Sequence, residues 1–411
     1  MTTSDVFGKI PGRIEKLSMP GWQPKLGQSL RAAERELERA KYDGKLLDLT
    51  CADTHRFPPP PWALEMFQRA ASGEGMTYTP YAGDVSVRQA VADNLGKTLG
   101  LTAKVENVIL TPGTQAGLYT ALSSIVEQGD HVILADPEYL STERMLHYLG
   151  ATVTHVPLIR DSTGLAMLDV ETLEAAMRRR PALLVFSNPN NPTGAVHSKH
   201  SIETIARLAK TYNVPVLVDQ LYCRLVYGDT KFHHLAAIEG MAERTVTLLG
   251  PSKTESLSGY RLGVALAPSG LIERMEDVLS VSALRAPAYA QHVLKRWLAD
   301  DQDYVAKRIG EYENLRNMAI ERFAKTNLLE VIPARGTAYL FVHSTAGLPD
   351  QKLALALKTQ AGLVVNPGYQ FGPRGEGHFR ICFAQDEKAW EGALERIVET
   401  VTRLARINVT A

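Results

Sequence analysis

Hydrophobic positions recur at helical spacing near the start of the chain. Leu30, Ala33, Leu37 and Ala40 lie three or four residues apart within residues 27–45. This spacing places the four apolar side chains on one face of a helix. The pattern therefore predicts an amphipathic helix over 27–45, and we expect it to pack on a domain formed further along the chain.

From about residue 87 to residue 265, helical patterns alternate with short apolar runs. The runs are rich in β-branched residues and are apolar on both faces, which is typical of strands in a sheet covered by helices on both sides. The pattern predicts a large α/β domain with a mostly parallel sheet. Helices are predicted over 87–99, 116–128 and 202–212, and strands over 108–110, 132–135, 183–186, 216–218, 246–249 and 263–267. A separate strand-like run precedes this region at 46–51.

Beyond about residue 270 the pattern becomes mainly helical and then mixed, which indicates a smaller α+β domain. Helices are predicted over 271–284, 289–298, 303–325, 352–360 and 390–404, and strands over 338–342 and 379–383. We expect residues 1–48 to pack with the small domain, residues 49–290 to form the large domain, and residues 291–411 to form the small domain. The helix at 303–325 would join the two domains.

Composition narrows the functional class. The 411 residues carry 45 Lys and Arg against 45 Asp and Glu, so the formal net charge is zero and gives no sign of nucleic-acid binding. No uncharged apolar run approaches the roughly 20 residues of a membrane helix, and no apolar signal segment opens the chain. Three scattered cysteines predict neither a disulfide framework nor a metal cluster. A cytoplasmic, self-associating protein with no membrane partner is the expectation.

Polar residues follow three of the predicted strands. The loop 187–194, with sequence SNPNNPTG, comes after the strand at 183–186 and contains Asn191. Such a loop is a turn by composition, but ligand contacts in α/β sheets also lie at the carboxyl ends of strands. Asp219 ends the next strand, where it would serve either as a helix cap or as the partner of a positive charge.

Lys253 follows the strand at 246–249, eight residues before Arg261 in the segment GYRLG. A single lysine is most often a surface residue. A lysine that directly follows a buried strand is also an unfavourable core residue, so a functional role has to be considered. Partial burial lowers the pKa of a lysine, which suits covalent chemistry with a carbonyl group.

Together these motifs resemble the fold type I pyridoxal-phosphate enzymes, in particular the class I/II aminotransferases, over residues 46–405. The resemblance implies that Lys253 bonds covalently to the aldehyde of pyridoxal 5'-phosphate and that Asp219 keeps the cofactor's ring nitrogen protonated. It implies that Asn191 and Tyr222 contact the ring's phenolic oxygen. Lys253, Asp219 and Tyr222 are thereby the expected catalytic residues.

The same resemblance assigns the phosphate and substrate contacts. Arg261 and Ser252 match the phosphate anchors, and Gly113, Thr114 and Gln115 match a phosphate loop at a helix N-terminus. Tyr139 matches the aromatic that stacks on the ring, and Tyr78 matches a tyrosine that reaches the neighbouring subunit's phosphate, which implies a homodimer with shared active sites. Arg380 matches the arginine that binds the substrate's α-carboxylate, together with Asn191, and Ala52 aligns with a glycine near that carboxylate.

The resemblance implies amino transfer between an α-amino acid and a 2-oxo acid, with pyruvate or 2-oxoglutarate as the acceptor, by a ping-pong mechanism. A β-lyase, a decarboxylase or an amino-acid oxidase would use the same lysine and aspartate. A cofactor-binding transcriptional regulator is disfavoured because no basic recognition helix precedes the pattern, and a phosphate-loop NTPase because its motif is absent.

The substrate side chain stays open at this stage. Arg56 or Arg285 could bind an acidic side chain, although each is more simply a surface charge. Trp22 and Tyr42 could instead cover an apolar or aromatic substrate.

Overall fold

The computed structural model describes residues 11–17, 30–73 and 77–409. The α-helices are α1 (Gly12–Leu17), α2 (Leu30–Arg39), α3 (Pro61–Ala71), α4 (Val85–Asn94), α5 (Thr114–Ser123), α6 (Leu140–Leu149), α7 (Val170–Met177), α8 (Lys199–Tyr212), α9 (Ser269–Ser282), α10 (Ala288–Gln291), α11 (Gln302–Phe323), α12 (Asp350–Ala361) and α13 (Glu387–Val409). The strands are β1 (Leu47–Asp48), β2 (Val108–Pro112), β3 (His131–Asp136), β4 (Thr152–Arg160), β5 (Ala166–Leu168), β6 (Leu183–Ser187), β7 (Val216–Asp219), β8 (Thr245–Leu249), β9 (Leu262–Leu266), β10 (Leu329–Val331), β11 (Tyr339–Ser344), β12 (Leu363–Val364), β13 (Asn366–Pro367) and β14 (His378–Cys382).

An eight-stranded sheet in the order β2-β9-β8-β7-β6-β3-β4-β5 forms the centre of the larger part of the protein. Its middle strands, β8, β7, β6, β3 and β4, run parallel. Strand β9 is antiparallel to both β8 and β2, so β2 again runs in the direction of the parallel set. This confirms the predicted mostly parallel sheet.

Both faces of this sheet are buried, as its doubly apolar strands require. Along β6, Leu183 and Val185 pack in one core cluster, whereas Leu184 and Phe186 pack in another on the opposite face. Helices α5, α6 and α9 cover the first face, and α7 and α8 cover the second. The alternation of side chains along a strand explains why a run that is apolar throughout needs cover on both sides.

A second, antiparallel sheet in the order β10-β11-β14-β13 belongs to the smaller part of the protein. Its core includes residues of β11, β14, α11, α12 and α13. Helix α2 packs on α12, where the ammonium group of Lys358 donates to the carbonyl oxygens of Leu37 and Glu38 at 2.7 and 3.1 Å. Strand β1 pairs with β12 in a separate two-stranded sheet. The division of the chain at residues 48 and 290 remains a prediction.

Several predicted element boundaries are wrong, because side-chain contacts set them. Helix α4 begins at Val85, where the carboxylate of Asp84 accepts a hydrogen bond from Val87, and α8 begins after the Ser198 cap. The helix predicted over 27–45 ends at Arg39. The helix predicted over 289–298 is only Ala288–Gln291 followed by a 3-10 turn. Beyond this turn, the carbonyl oxygen of Trp297 accepts a hydrogen bond from the buried side-chain amide of Asn94.

The sequence pattern does not predict strands β4 and β5. Strand β4 mixes Thr152, Thr154 and His155 with apolar residues and is only partly buried, because it lies near one edge of the large sheet. Its pattern therefore lacks the doubly apolar character on which the prediction depended. No helix in the described part of the chain is both long enough and apolar enough to cross a membrane.

Candidate active site

Five parallel-running strands end at one edge of the large sheet, and each leads into a segment with a candidate residue. Strand β2 leads to Thr114, β3 to Tyr139, β6 to Asn191, β7 to Asp219 and β8 to Lys253. Ligands of open α/β sheets bind at this edge, outside the carboxyl ends of the strands. The topology thus gathers residues that lie more than 130 positions apart in the sequence.

These segments surround a cavity of about 260 Å³. Ten predicted site residues line it: Thr114, Gln115, Tyr139, Asn191, Asp219, Tyr222, Ser252, Lys253, Arg261 and Arg380. Six residues that were not predicted also line it: Thr50, Leu118, Leu140, Leu221, Ser258 and Tyr339. Three predicted residues, Gly113, Ala52 and Tyr78, do not belong to the lining.

One end of the cavity is built to hold an anion. Gly113 precedes α5 with φ = 87°, and a Cβ atom at this position would collide with the guanidinium group of Arg261. A Cβ atom at Gly263 would lie 2.6 Å from the backbone nitrogen of Thr114. The two glycines therefore let Arg261 approach the first turn of α5, whose backbone N–H groups face outward at a helix N-terminus.

Arg261 completes this end of the cavity. Its guanidinium donates to the carbonyl oxygens of Ser258 and Pro112 at 3.1 and 3.3 Å and forms no ion pair with any residue that the structure describes. The hydroxyl group of Ser252 also lines the cavity. A cation, a hydroxyl group and helix N–H groups together form a donor set suited to a phosphate group.

Another part of the cavity presents a carboxylate. Asp219, the last residue of β7, accepts a hydrogen bond from the backbone N–H of Leu221 at 3.1 Å. It forms no ion pair within residues 11–17, 30–73 and 77–409. Desolvation raises the pKa of Asp219 to about 6, because this single hydrogen bond only partly offsets the loss of water. Such a carboxylate is suited to a cationic partner that enters from the cavity.

Lys253 and Tyr222 also line the cavity. Lys253 is half-buried, and its ammonium group has neither a hydrogen bond nor an ion pair with the described residues. Tyr222 is buried, and its ring lies edge-on to that of Tyr339 at 5.9 Å. Burial raises the pKa of Tyr222 well above its usual value. The hydroxyl group of Tyr139 donates to Gln115 at 3.1 Å, which ties the aromatic residue to α5.

Arg380 is a buried guanidinium group in the middle of strand β14, only 4% exposed. It donates to Asn191 at 2.7 Å, to the neighbouring-strand residue Asn366 at 2.6 Å, and to the carbonyl oxygen of Thr50 at 3.1 Å. The guanidinium lies 4.0 Å from the ring centre of Tyr339. In the described part of the chain it pairs with no carboxylate, and its buried Nε has no hydrogen-bond partner. It is therefore available to an anionic ligand.

The remaining sequence candidates lie elsewhere. Tyr78 is 79% exposed, and Arg285 stacks on it at 4.5 Å. Arg56 lies near the surface within 3.6 Å of Glu311 and lines no part of the cavity. Tyr42 packs against Gly362, and Trp22 lies outside the described residues.

Ala52 is not among the described residues that line the cavity, and its contact with a substrate stays a prediction. Thr50, two positions earlier, lines the cavity instead, and its carbonyl oxygen receives the hydrogen bond from Arg380. Tyr339 lies in the strand predicted over 338–342, but a tyrosine in a strand resembles a core residue. The sequence therefore does not distinguish it as a site residue.

Within the described ranges, no three His, Cys, Asp or Glu side chains are grouped so as to bind a metal.

The donor set fits pyridoxal 5'-phosphate, the cofactor of the class I/II aminotransferases. The cradle formed by Gly113, Arg261 and Ser252 suits its phosphate, and the unpaired carboxylate of Asp219 suits a protonated ring nitrogen. The unpaired amine of Lys253 suits its aldehyde. The cavity therefore brings together the carboxylate, the amine and the phosphate cradle that this cofactor requires.

Comparison with known proteins agrees with this geometry. The family model "Aminotransferase class I and II" matches residues 47–397. An aspartate aminotransferase of Pyrococcus horikoshii is 32% identical over 89% of this chain and 94% of its own length. Aromatic-amino-acid aminotransferase 2 of Thermococcus litoralis is 30% identical over 82% of this chain and 87% of its own.

The fold has close counterparts among solved structures. An aspartate aminotransferase from Rhodobacter sphaeroides superposes with a TM-score of 0.84 at 33% identity, over 91% of this chain and 99% of that one. The family match spans most of the chain, and relatives above 30% identity cover most of its length. The chain therefore belongs to the class I and II aminotransferases, a family of pyridoxal-phosphate-dependent transaminases.

Proposed function

We propose that this transaminase binds pyridoxal 5'-phosphate through Lys253, Asp219 and Arg261, and moves an amino group between an α-amino acid and a 2-oxo acid. The observation that carries the proposal is one cavity lined by a lysine, a carboxylate and two guanidinium groups, none of which forms an ion pair with another described residue. Of the two arginines, Arg261 would bind the cofactor's phosphate and Arg380 would bind the substrate's carboxylate.

Bound pyridoxal phosphate supplies an electron sink for the charge that develops at the substrate Cα. The chain's own residues supply the rest. Asp219 holds the proton of the ring nitrogen, and its poor solvation favours pairing with that cation over exposure to water. Lys253 would be freed when the substrate amine takes its place, and it would then accept the proton from the substrate Cα as general base and return it as general acid.

Arg380 and Asn191 orient the substrate. Since the Oδ1 atom of Asn191 accepts from Arg380 at 2.7 Å, the group that Asn191 can offer to a ligand is its amide N–H. Arg380 would bind the α-carboxylate through its guanidinium fork. Tyr222 would add a hydroxyl group to the ring's phenolic oxygen, and Tyr139 would stack on the ring.

We further propose a ping-pong sequence of two half-reactions, with pyruvate or 2-oxoglutarate as the amino acceptor. The donor would leave as its 2-oxo acid before the acceptor binds, so Arg380 and Lys253 would serve the two substrates in turn. The names of the relatives mention aspartate and aromatic amino acids, so both substrate classes deserve testing as donors.

An absorbance titration of the purified holoenzyme tests this function. Addition of a donor amino acid without any acceptor should replace the visible band of the lysine-bound cofactor with the shorter-wavelength band of the aminated cofactor. Addition of a 2-oxo acid should then restore the first band. Release of pyruvate and ammonia in the absence of an acceptor would instead indicate a β-lyase, and oxygen consumption would indicate an oxidase.

We also propose that two copies of the chain form a homodimer with shared active sites, working in the cytoplasm. Tyr78 is not among the described residues that line the cavity and is 79% exposed, and Tyr81 is 40% exposed. Arg285 stacks on both Tyr78 and Tyr81. An exposed aromatic cluster of this kind suits an interface between subunits.

A hybrid dimer distinguishes a shared site from a self-contained one. Lys253→Ala and Tyr78→Ala chains, carrying different affinity tags, should be co-expressed and the hybrid purified through both tags. If Tyr78 serves the partner's site, one native site forms per hybrid, and activity should be about half that of the wild type. A hybrid no more active than half a Tyr78→Ala homodimer would contradict the shared site.

A further inference from the structure

Glu138 is a buried carboxyl group that the proposed mechanism does not use. It directly precedes Tyr139 at the end of β3 and is 4% exposed. Its Oε1 atom accepts from the backbone N–H of Tyr139 at 2.7 Å and from the hydroxyl group of Ser187 at 2.6 Å. Its Oε2 atom accepts from the backbone N–H of Ser187 at 2.7 Å.

Ser187 carries this contact into the next loop. Its hydroxyl oxygen accepts from the backbone N–H of Asn191 at 3.2 Å and from the side-chain amide of Asn190 at 3.1 Å. The amide of Asn190 also donates to the carbonyl oxygen of Pro137 at 3.1 Å. One hydrogen-bond chain therefore joins the segment that carries Tyr139 to the loop that carries Asn191.

The pattern of donors calls for a carboxylate at this position. The hydroxyl oxygen of Ser187 already accepts two N–H groups, so its proton is directed to Glu138. All three groups that contact Glu138 are thus donors, and only an acceptor-only side chain satisfies them together. Glu138 forms no ion pair with the residues that the structure describes. Burial, with a smaller contribution from the charge of Asp219, raises its pKa, and the three hydrogen bonds from Ser187 and Tyr139 oppose this rise because they stabilise the carboxylate form.

We propose that Glu138 is a positioning residue that fixes the Tyr139 loop and the Asn191 loop relative to each other, so that the aromatic ring and the amide meet the cofactor together. The role at the cofactor rests on the proposed function. The coupling of the two loops is a property of the chain itself and can be measured without any cofactor.

Substitution of Glu138 by glutamine tests the requirement for an acceptor. The shape is retained, but the carboxamide must turn its NH₂ group toward either the N–H of Ser187 or the donors at Oε1. One donor in the buried network is then left facing another, which costs more than the loss of a solvent-exposed hydrogen bond. Ser187→Ala is a second variant, which removes the relay to Asn191 while leaving the bond between Glu138 and the N–H of Tyr139.

Glu143→Gln is the matched control. Glu143 is also a buried carboxyl group and lies five residues further along, but its partners are His147 at 3.2 Å and His155 at 3.3 Å. It forms no hydrogen bond to the Asn191 loop in the described part of the chain. The same substitution at this site therefore measures the general effect of neutralising a buried carboxyl group.

The first measurement is amide hydrogen exchange in the cofactor-free protein. Glu138→Gln should accelerate exchange by about tenfold or more in peptides covering both 136–140 and 187–194. Ser187→Ala should accelerate it mainly in 187–194, and Glu143→Gln should accelerate it in neither. Unchanged exchange over 187–194 in a folded Glu138→Gln variant would overturn the proposal. If that variant does not fold, unchanged exchange over 187–194 in Ser187→Ala would overturn it instead.

The second measurement is spectroscopic and uses the holoenzyme. If loop 187–194 is displaced, Asn191 loses its hold on the ring oxygen, and the pH midpoint of the cofactor's visible band should rise in Glu138→Gln and Ser187→Ala. The control should keep the wild-type midpoint. Altered exchange with an unaltered midpoint would refute the role at the cofactor while leaving the loop coupling. A wild-type protein without any cofactor band would refute the proposed function instead.

Discussion

Replacement of Lys253 by alanine should abolish the visible band of the bound cofactor and lower kcat by about 10⁴-fold or more. Both losses follow from one side chain, because the same amine is expected to bond to the cofactor and to move the proton at the substrate Cα. Lys253 is the one lysine that lines the cavity, and no other amine from the described residues is placed to replace it.

Two further variants separate the causes of this loss. Lys253→Arg retains a positive charge but offers a guanidinium group, which does not deprotonate and cannot act as nucleophile or base. We expect it to be as inactive as the alanine variant. Lys199→Ala removes an exposed lysine that pairs with Glu203 and should leave both band and rate unchanged. Activity within tenfold of wild type in either Lys253 variant would show that this lysine is not the catalytic base.

Much of the fold was predictable because its strands are short, apolar and buried on both faces. Strands β3, β6, β7 and β8 all appear in the sequence as such runs, and each matches a predicted strand within a few residues. Helix ends were less predictable, since a cap such as Asp84 or Ser198 begins a helix before its apolar period starts. Strand β4 escaped prediction because its half-exposed faces carry threonine and histidine.

The polar part of the site was also more predictable than its apolar part. Lys253, Asp219 and Asn191 each follow a strand of the large sheet, so topology alone brings them to one edge. Leu140, Leu221 and Tyr339 line the same cavity, but their side chains are of types that usually belong to a core. Glu138 could not be distinguished from a surface glutamate, because the hydroxyl group that bonds it belongs to Ser187, 49 positions away.

Replacement of Arg380 by alanine should lower kcat/KM for an α-amino acid by roughly 30- to 4000-fold, which corresponds to the loss of about 2–5 kcal/mol from a buried charge pair. The guanidinium is held by Asn191, Asn366 and Thr50, and none of these neutralises its charge. A substrate carboxylate would supply the missing anion. Arg316→Ala is a suitable control, since Arg316 also stacks on a tyrosine ring but is paired with Glu313 and lines no part of the cavity.

Comparison of an amino acid with its amide distinguishes carboxylate binding from a structural role of Arg380. The amide has no carboxylate, so an arginine that acts only on that group should contribute to kcat/KM for the acid but little to that for the amide. The wild type should therefore have a much higher kcat/KM for the acid than for the amide. Arg380→Ala should lower kcat/KM for the acid and leave kcat/KM for the amide nearly unchanged. An equal fall for both substrates would mean that Arg380 acts by holding Asn191 in place, because that contact is available whichever substrate is bound.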